Sequence, residues 1–316
     1  MVDVPPLSIV FFGTPVFAVP TLEALLRSRH RVVGVVSQPD RPRGRGQKTG
    51  ATPVKAVALA AGVPVLQPER LKDPAFLNAL SSWQTDLGVV AAYGRIIPDV
   101  VIETPRLGLI NVHASLLPRY RGAAPVQRAV LAGDTETGVT IMRIVRELDA
   151  GPMFGKVVVP ISADATSAGV EHDLAVAGAA LLVDVVDRIA AGTAGEEPQD
   201  HALATYAPKI TREEGEIDWT KAAAAVHNQV RGLTPWPHAW TRLDDARLIV
   251  VRSAPEPSAD VAAPPGTIVE ARGDVLRVAT GQGTLRVLSV QPEGRRAMSV
   301  REFLAGRQLT SGTRFA

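Results

Sequence analysis

Leu109-Ile110-Asn111-Val112-His113-Ala114-Ser115-Leu116-Leu117-Pro118-Arg119-Tyr120-Arg121-Gly122-Ala123-Ala124-Pro125 opens as the end of an apolar strand and runs into a basic loop punctuated by Pro and Gly. Side chains two apart on an extended strand share a face, so Asn111 and His113 project together from its carboxyl end. The pair joins an amide N–H donor to an imidazole, the side chain suited to proton transfer at neutral pH. Such a pair fits attack on a carbonyl, where one group steadies the new oxyanion and the other handles a proton. A lone histidine at a strand end is more often structural than catalytic; Asn111 on the same face moves the reading towards function.

Outward from this stretch, apolar strands alternate with helical segments. Leu7 to Gly13, Arg31 to Gln38, Val63 to Leu66, Asp86 to Tyr93 and Leu109 to Ala114 read as strands. Val16 to Arg27, about Pro53 to Ala61 and Pro74 to Trp83 read as helices, and a long helix spans about Val170–Ala191. Thr140 to Val145 and Lys156 to Ile161 look like a further strand pair. Continuous apolar strands alternating with helices predict an α/β fold, a Rossmann-like wound and mostly parallel sheet. In such sheets ligands sit beyond the carboxyl ends of the strands, where Asn111 and His113 fall. From Gly192 to about Pro208 the pattern dissolves into Gly, Thr, Glu, Pro and Gln, as in a linker. A helix over Thr220 to Arg231 follows, then short β-type runs at Leu248–Val251, Thr267–Glu270, Val275–Ala279 and Thr284–Val290, spaced as in a small β-barrel.

The 316 residues are 46% hydrophobic and 21% charged, enough apolar material for two folded domains. Without cysteine there is no disulfide, no thiolate catalysis and no Cys-based metal site, which fits a reducing compartment. The amino-terminal residues lack the charged and apolar regions of a signal peptide, and the long helix is broken by Glu171, Asp173, Asp184, Asp187 and Arg188, so no membrane span is expected. Net charge is only +2, but Arg41, Arg43, Arg45, Lys48 and Lys55 face Asp40 alone over residues 40–55. A basic loop of this kind is either a phosphate contact or a solvated turn, and charge alone leaves both open.

Other chemistries find no footing. Phe12-Gly13-Thr14-Pro15 sits where a dinucleotide loop would, but without its Gly-x-Gly-x-x-Gly spacing. Gly44-Arg45-Gly46-Gln47-Lys48-Thr49-Gly50 matches a P-loop in composition only, since it follows no strand and its Lys precedes the required Gly. The six histidines are scattered, with no metal-ligand spacing, and Gly-x-Ser-x-Gly is absent. A carboxylate partner for His113 is available in Leu148-Asp149-Ala150-Gly151-Pro152; Asp in such a turn is also a common Asx-turn former, and both roles stay open here.

With these residues assembled, the chain resembles the methionyl-tRNA formyltransferase family, within the 10-formyltetrahydrofolate-dependent formyltransferases, over nearly its full length. The matching segments are Phe12 to Pro15, Gln38 to Gly46, Val90 to Gly94, Asn111 to Pro125, Leu148 to Pro152, Tyr206-Ala207-Pro208-Lys209-Ile210 and Gly232-Leu233-Thr234-Pro235-Trp236-Pro237. The Asn-x-His block with its later Asp marks the wider superfamily; the Gln-Pro-Asp-Arg, Tyr-Ala-Pro-Lys-Ile and Pro-Trp-Pro segments narrow it to the tRNA enzymes.

The resemblance implies a catalytic, folate-binding domain over 1–190, a linker over 191–208, and an OB-like, tRNA-binding domain over 209–316. It implies catalytic roles for Asn111, His113 and Asp149. Folate would lie against Ser115, Leu116, Leu117 and Pro118 and along Ala92, Tyr93, Gly94 and Ile96. Arg43, Arg45, Lys48 and Lys209 would contact tRNA. The donor would be 10-formyltetrahydrofolate, leaving as tetrahydrofolate, and the acceptor methionyl initiator tRNA. No metal is required, and a cytoplasmic monomer is expected. The rival within this chemistry is an enzyme with a small amine acceptor, which would need neither the basic loop nor residues 206–316. The rival outside it is a folate- or RNA-binding module without catalysis.

Overall fold

The computed structural model describes residues 4–43, 48–256 and 262–315, with backbone alone at 42–43 and 48–49. The elements run β1 (Ser8–Gly13), α1 (Val19–Arg27), β2 (Arg31–Val36), β3 (Arg41–Arg43), β4 (Lys48–Gly50), α2 (Pro53–Ala60), β5 (Val65–Leu66), α3 (Pro74–Ser82), β6 (Leu87–Ala91), α4 (Asp99–Ile102), β7 (Leu109–His113), β8 (Arg121–Gly122), α5 (Pro125–Ala132), β9 (Glu136–Arg143), β10 (Met153–Pro160), α6 (Ser167–Ala190) and β11 (Tyr206–Ala207). After them come α7 (Ala223–Gly232), β12 (Ala239–Leu243), β13 (Ala246–Glu256), β14 (Ile268–Arg272), β15 (Val275–Ala279), β16 (Thr284–Pro292), β17 (Met298–Ser299) and α8 (Val300–Ala305).

The chain divides into two compact units. The first holds residues 1–122, 137–160 and 171–207; the second holds 123–136, 161–170 and 208–316. The first unit is a seven-stranded sheet in the order β10-β9-β7-β6-β1-β2-β5. β5, β2, β1, β6 and β7 run parallel to one another, and β9 runs antiparallel to β7. Parallel strands covered on both faces need continuous apolar runs, and β1 and β6 supply them: Ile9 through Phe12 and Leu87 through Ala91 are all buried. Helix starts are set locally: Thr52 accepts from the Lys55 N–H ahead of Pro53, and Asp73 accepts from the Ala75 N–H ahead of Pro74. The chain begins at β1 in the middle of the sheet, builds outward through β2 and β5, then returns to β6 on the other side of β1. That reversal leaves a crevice past the carboxyl ends of β1 and β6, beside the end of β7.

Residues 191–207, linker-like in composition, belong to the first unit. β11 pairs in parallel with β8, Met153 and Glu197 exchange backbone hydrogen bonds, and Gln199 is buried. The short α5, which the sequence pattern did not disclose, belongs to the second unit. In the basic segment β3 pairs antiparallel with β4, in register Arg41 opposite Gly50.

The second unit carries an antiparallel sheet, β12-β13-β16-β15-β14, with β17 added on β16. Its core gathers Ile217, Trp219, Val226, Val250, Leu276, Leu285 and Phe303, and Trp219 stacks on Phe315 at 5.7 Å between centroids. The mixed α/β reading with a separate β-rich domain therefore holds.

Candidate active site

The end of β7 places Asn111 and His113 on one face, as the strand period requires. Asn111 is opposite Val90 of β6 and Met142 of β9, and is half-buried. No group among the described residues hydrogen-bonds its amide. His113 is 5% exposed. Its Nε2 lies 3.0 Å from the Tyr120 carbonyl oxygen. A carbonyl can only accept, so Nε2 carries the proton in the neutral ring and Nδ1 carries the lone pair. Nδ1 faces Asp149, with Oδ2 3.7 Å away.

The sequence resemblance named Asn111, His113 and Asp149, and the fold brings the last two within one contact of each other. Asp149 sits at φ +48° in the turn before β10. Its Oδ2 accepts the Gly122 N–H at 2.8 Å. Gly122 adopts φ +119°, which an L side chain rarely takes, and a Cβ there would stand 2.9 Å from the Ala207 carbonyl oxygen. The Asp149 carboxylate is thus located by main chain on one side and aimed at imidazole on the other.

Sequence reasoning missed the groups that hold this turn. Arg121, 1% exposed, donates from Nε and Nη2 to Gln199 Oε1 at 3.1 and 2.8 Å. Gln199, 4% exposed, donates from Nε2 to the carbonyls of Asp149 and Gly151, both at 2.8 Å. Thr205 Oγ1 accepts the Tyr120 N–H, and the Thr205 carbonyl accepts the Arg121 N–H. Backbone acceptors have no residue signature, and Gln199 lies in a stretch whose composition looks unstructured.

The residues expected to meet folate separate into groups. Ser115 is fully buried and donates to the Arg119 carbonyl at 2.6 Å. Leu117 is also buried, clustered with Met142 and Met153, while Leu116 and Pro118 are half-buried. Following β6, Ala92 has φ +43° and Gly94 φ +80°. Both are exposed, as is Ile96 at 95%. Tyr93 points the other way, 2% exposed and edge-on to Phe12, with burial raising its phenol pKa. The Tyr93 carbonyl accepts from Thr14 Oγ1 and from Gln38 Nε2, so two side chains beyond β1 and β2 shape this turn. A cleft of about 680 Å³ opens beside it, bordered by Leu71, Arg95, Ile96, Ile97 and Arg146. It includes neither His113 nor Asp149, so chemistry and cleft are neighbours along the first unit's strand ends and not one cavity.

Of the expected RNA contacts, Arg45 lies outside the described residues, as do the side chains of Arg43 and Lys48. Lys209 is exposed, in the second unit. At the root of the basic segment, Lys55 Nζ donates to Asp40 Oδ2 at 2.5 Å and to Gln67 Oε1 at 2.6 Å. Gln67 Nε2 in turn donates to Asp40 Oδ1. Among the described residues no cluster of His, Asp and Glu could hold a metal, and no helix is long and apolar enough to cross a membrane.

Residues 7–186 match the formyl transferase family, and residues 209–308 match the formyl transferase carboxyl-terminal domain. The chain is 48% identical to a methionyl-tRNA formyltransferase of Thiobacillus denitrificans over 97% of its own length and 98% of that protein. It is 49% identical to one from Methylococcus capsulatus over 94% and 96%. Among solved structures, a sugar 3N-formyl transferase crystallised with dTDP and 5-N-formyltetrahydrofolate superposes with a TM-score of 0.68 at 17% identity, over 92% of this chain and 100% of that one. On these matches, and with a strand-end Asn-x-His in place, the chain belongs to the methionyl-tRNA formyltransferase family.

Proposed function

We propose that the protein transfers the formyl group of 10-formyltetrahydrofolate to the α-amino group of methionyl initiator tRNA. The observation that carries this reading is the imidazole of His113, held between the Tyr120 carbonyl and the Asp149 carboxylate one strand repeat beyond an uncommitted amide. The acceptor amine attacks the formyl carbon as the neutral species. A C–N bond forms, the carbonyl becomes a tetrahedral oxyanion, and the nitrogen gains a positive charge. Asn111 donates its side-chain NH₂ to that oxygen. His113 takes the proton from nitrogen at Nδ1, because Nε2–H is committed to Tyr120, and Asp149 lies on the side where the new N–H sits. Collapse of the intermediate breaks the bond to folate N10, which leaves with a proton as tetrahydrofolate.

Folate lies along the exposed turn at Ala92, Gly94 and Ile96 and in the cleft next to it, with Ser115 to Pro118 shaping the floor from behind. The cleft sets apolar Leu71, Ile96 and Ile97 beside the charged Arg95 and Arg146, a mixture that suits an amphipathic ligand such as folate. The basic segment over 41–48, with Arg43, Arg45 and Lys48, meets the acceptor end of the tRNA. The second unit acts as an OB-like barrel that contributes backbone contacts, with Lys209 at its start. The enzyme works as a cytoplasmic monomer.

The test is a direct assay. The protein is incubated with 10-formyltetrahydrofolate and either methionyl initiator tRNA, free methionine or a small amine, and formylated product is followed. Transfer to the charged tRNA alone is the expected result. Preference for a small amine would replace this reading with the small-acceptor one, and no transfer to any acceptor would leave a binding module.

A further inference from the structure

The buried guanidinium of Arg121 is costly to maintain, because a charge removed from water loses its hydration and must be partnered. Its fork is spent on one oxygen of Gln199, with Glu147 3.7 Å from Nη1. Gln199 spends both of its amide hydrogens on the carbonyls of Asp149 and Gly151, spanning the turn that carries the carboxylate. Meanwhile the residues flanking Arg121 reach both partners of the proton-handling pair: the Tyr120 carbonyl accepts from His113, and Gly122 N–H donates to Asp149. The bonds close into a ring, running from the Asp149 carboxylate to Gly122, through Arg121 to Gln199, and back to the Asp149 main chain. Neither Arg121 nor Gln199 is within reach of a substrate, since each is almost wholly enclosed.

We propose that Arg121 and Gln199 are positioning residues that lock the Asp149 turn in the geometry needed for proton transfer at His113. The inference rests on the formyl-transfer reading above. A ring of this kind fixes two degrees of freedom at once. The Gly122 N–H sets where the carboxylate oxygen lies, and the Gln199 amide sets the height and tilt of the turn from which the side chain springs. Misplacement of a catalytic group by a fraction of its contact distance slows chemistry more than it weakens binding, because the missing interaction is made chiefly in the transition state. A purely packing role predicts otherwise: loss of stability with chemistry intact per folded molecule.

Gln199→Glu separates the alternatives. One oxygen of Glu still accepts from the Arg121 fork, as Gln199 Oε1 does, so the buried charge keeps its partner. Facing the Asp149 and Gly151 carbonyls, however, acceptor now meets acceptor, and the turn loses its clamp. The experiment is single-turnover and steady-state formylation of methionyl initiator tRNA by the full chain, alongside thermal unfolding. The parent protein, Gln199→Glu, Asp149→Asn and the Gln199→Glu/Asp149→Asn double variant are compared. Parent activity itself checks the underlying reading, and a parent that fails to formylate defeats that reading and not this one. In an active parent background, Gln199→Glu is expected to lower kcat by about tenfold or more with both KM values within about threefold. In the Asp149→Asn background the same change is expected to cost less than about twofold, because a residue acting through the carboxylate has nothing left to act on. The proposal is overturned if kcat stays within about twofold of the parent, if the loss falls on KM, or if the full loss recurs without the carboxylate. Arg121→Met, which keeps bulk and removes the fork, is expected to repeat the pattern. Should it fail to fold, Gln199→Glu decides the matter alone.

Discussion

Gly122 gives its main-chain N–H to Asp149 Oδ2 at 2.8 Å, so the carboxylate opposite His113 is placed by backbone and not by another side chain. Asp149→Asn keeps the size and offers Gly122 an amide oxygen, but no negative charge then faces Nδ1. We expect kcat to fall by about 10²-fold or more while folate binding, followed by fluorescence quenching, changes little. Equal losses in rate and affinity would place Asp149 in folate binding instead.

Asn111→Ala removes the proposed donor to the developing oxyanion. Loss of one such donor costs roughly 10²–10³ in turnover. Single-turnover formylation should show this with folate affinity nearly preserved. A rate within about threefold of the parent would end the oxyanion role.

Gly122→Ala tests the backbone route to Asp149. The conformation at φ +119° and the Ala207 carbonyl 2.9 Å from a new Cβ together force the peptide to move. Strain of this kind costs of order 1–3 kcal/mol. A lower Tm is expected, and the rate per folded molecule should also drop as the N–H withdraws. Unchanged Tm with full activity would show that the turn tolerates the change.

His30 supplies a pH dependence far from the chemistry. Burial lowers its pKa below 6.5, Asp187 opposes the shift, and Arg29 adds to it. The neutral ring accepts the Leu7 N–H at Nδ1 and donates to Asp187 from Nε2. The unfolded chain therefore takes the proton first as pH falls, and stability declines from about pH 6.5 downwards until the folded protein is protonated too. His238, also lowered by burial, acts in the same direction. Tm measured across this range should fall with acid, and His30→Gln should flatten part of the slope. A slope unchanged by that substitution would remove His30 from the account.

Binding of tRNA should weaken steeply with salt, since neutralised phosphates release counterions. If Lys209, which is exposed, or Arg45 meets phosphate as proposed, its replacement by Ala should reduce the log–log salt slope by about 1. Filter binding at several salt concentrations reads this directly, and an unaltered slope would take that side chain off the RNA.

The parts of the molecule legible in the sequence were those whose signal is a side-chain pattern. Apolar runs disclose β1, β6 and β7, and the two-residue period puts Asn111 and His113 on one face. Other parts lacked such a signal. α5 begins at Pro125, inside the Pro- and Gly-punctuated stretch that reads as loop, so its start carries no separate signal. The pair of β3 and β4 is too short and too basic to read as strands. The carbonyl of Tyr120 and the N–H of Gly122 are common to every residue type, so their roles emerge only in the fold. Gln199 was hidden because its neighbours have the composition of a tether, although its amide closes the turn around Asp149.

The pairing of Tyr206 with Arg121 has a temporal side. A nascent chain leaves the ribosome with Asn111, His113 and Asp149 long before residues 199–207 emerge. Until those residues arrive, the loop from Tyr120 to Gly122 has no neighbour strand to settle against. The reaction centre of the first unit is therefore finished only when the last residues of that unit have been made, although the strand that carries Asn111 and His113 is made well before them.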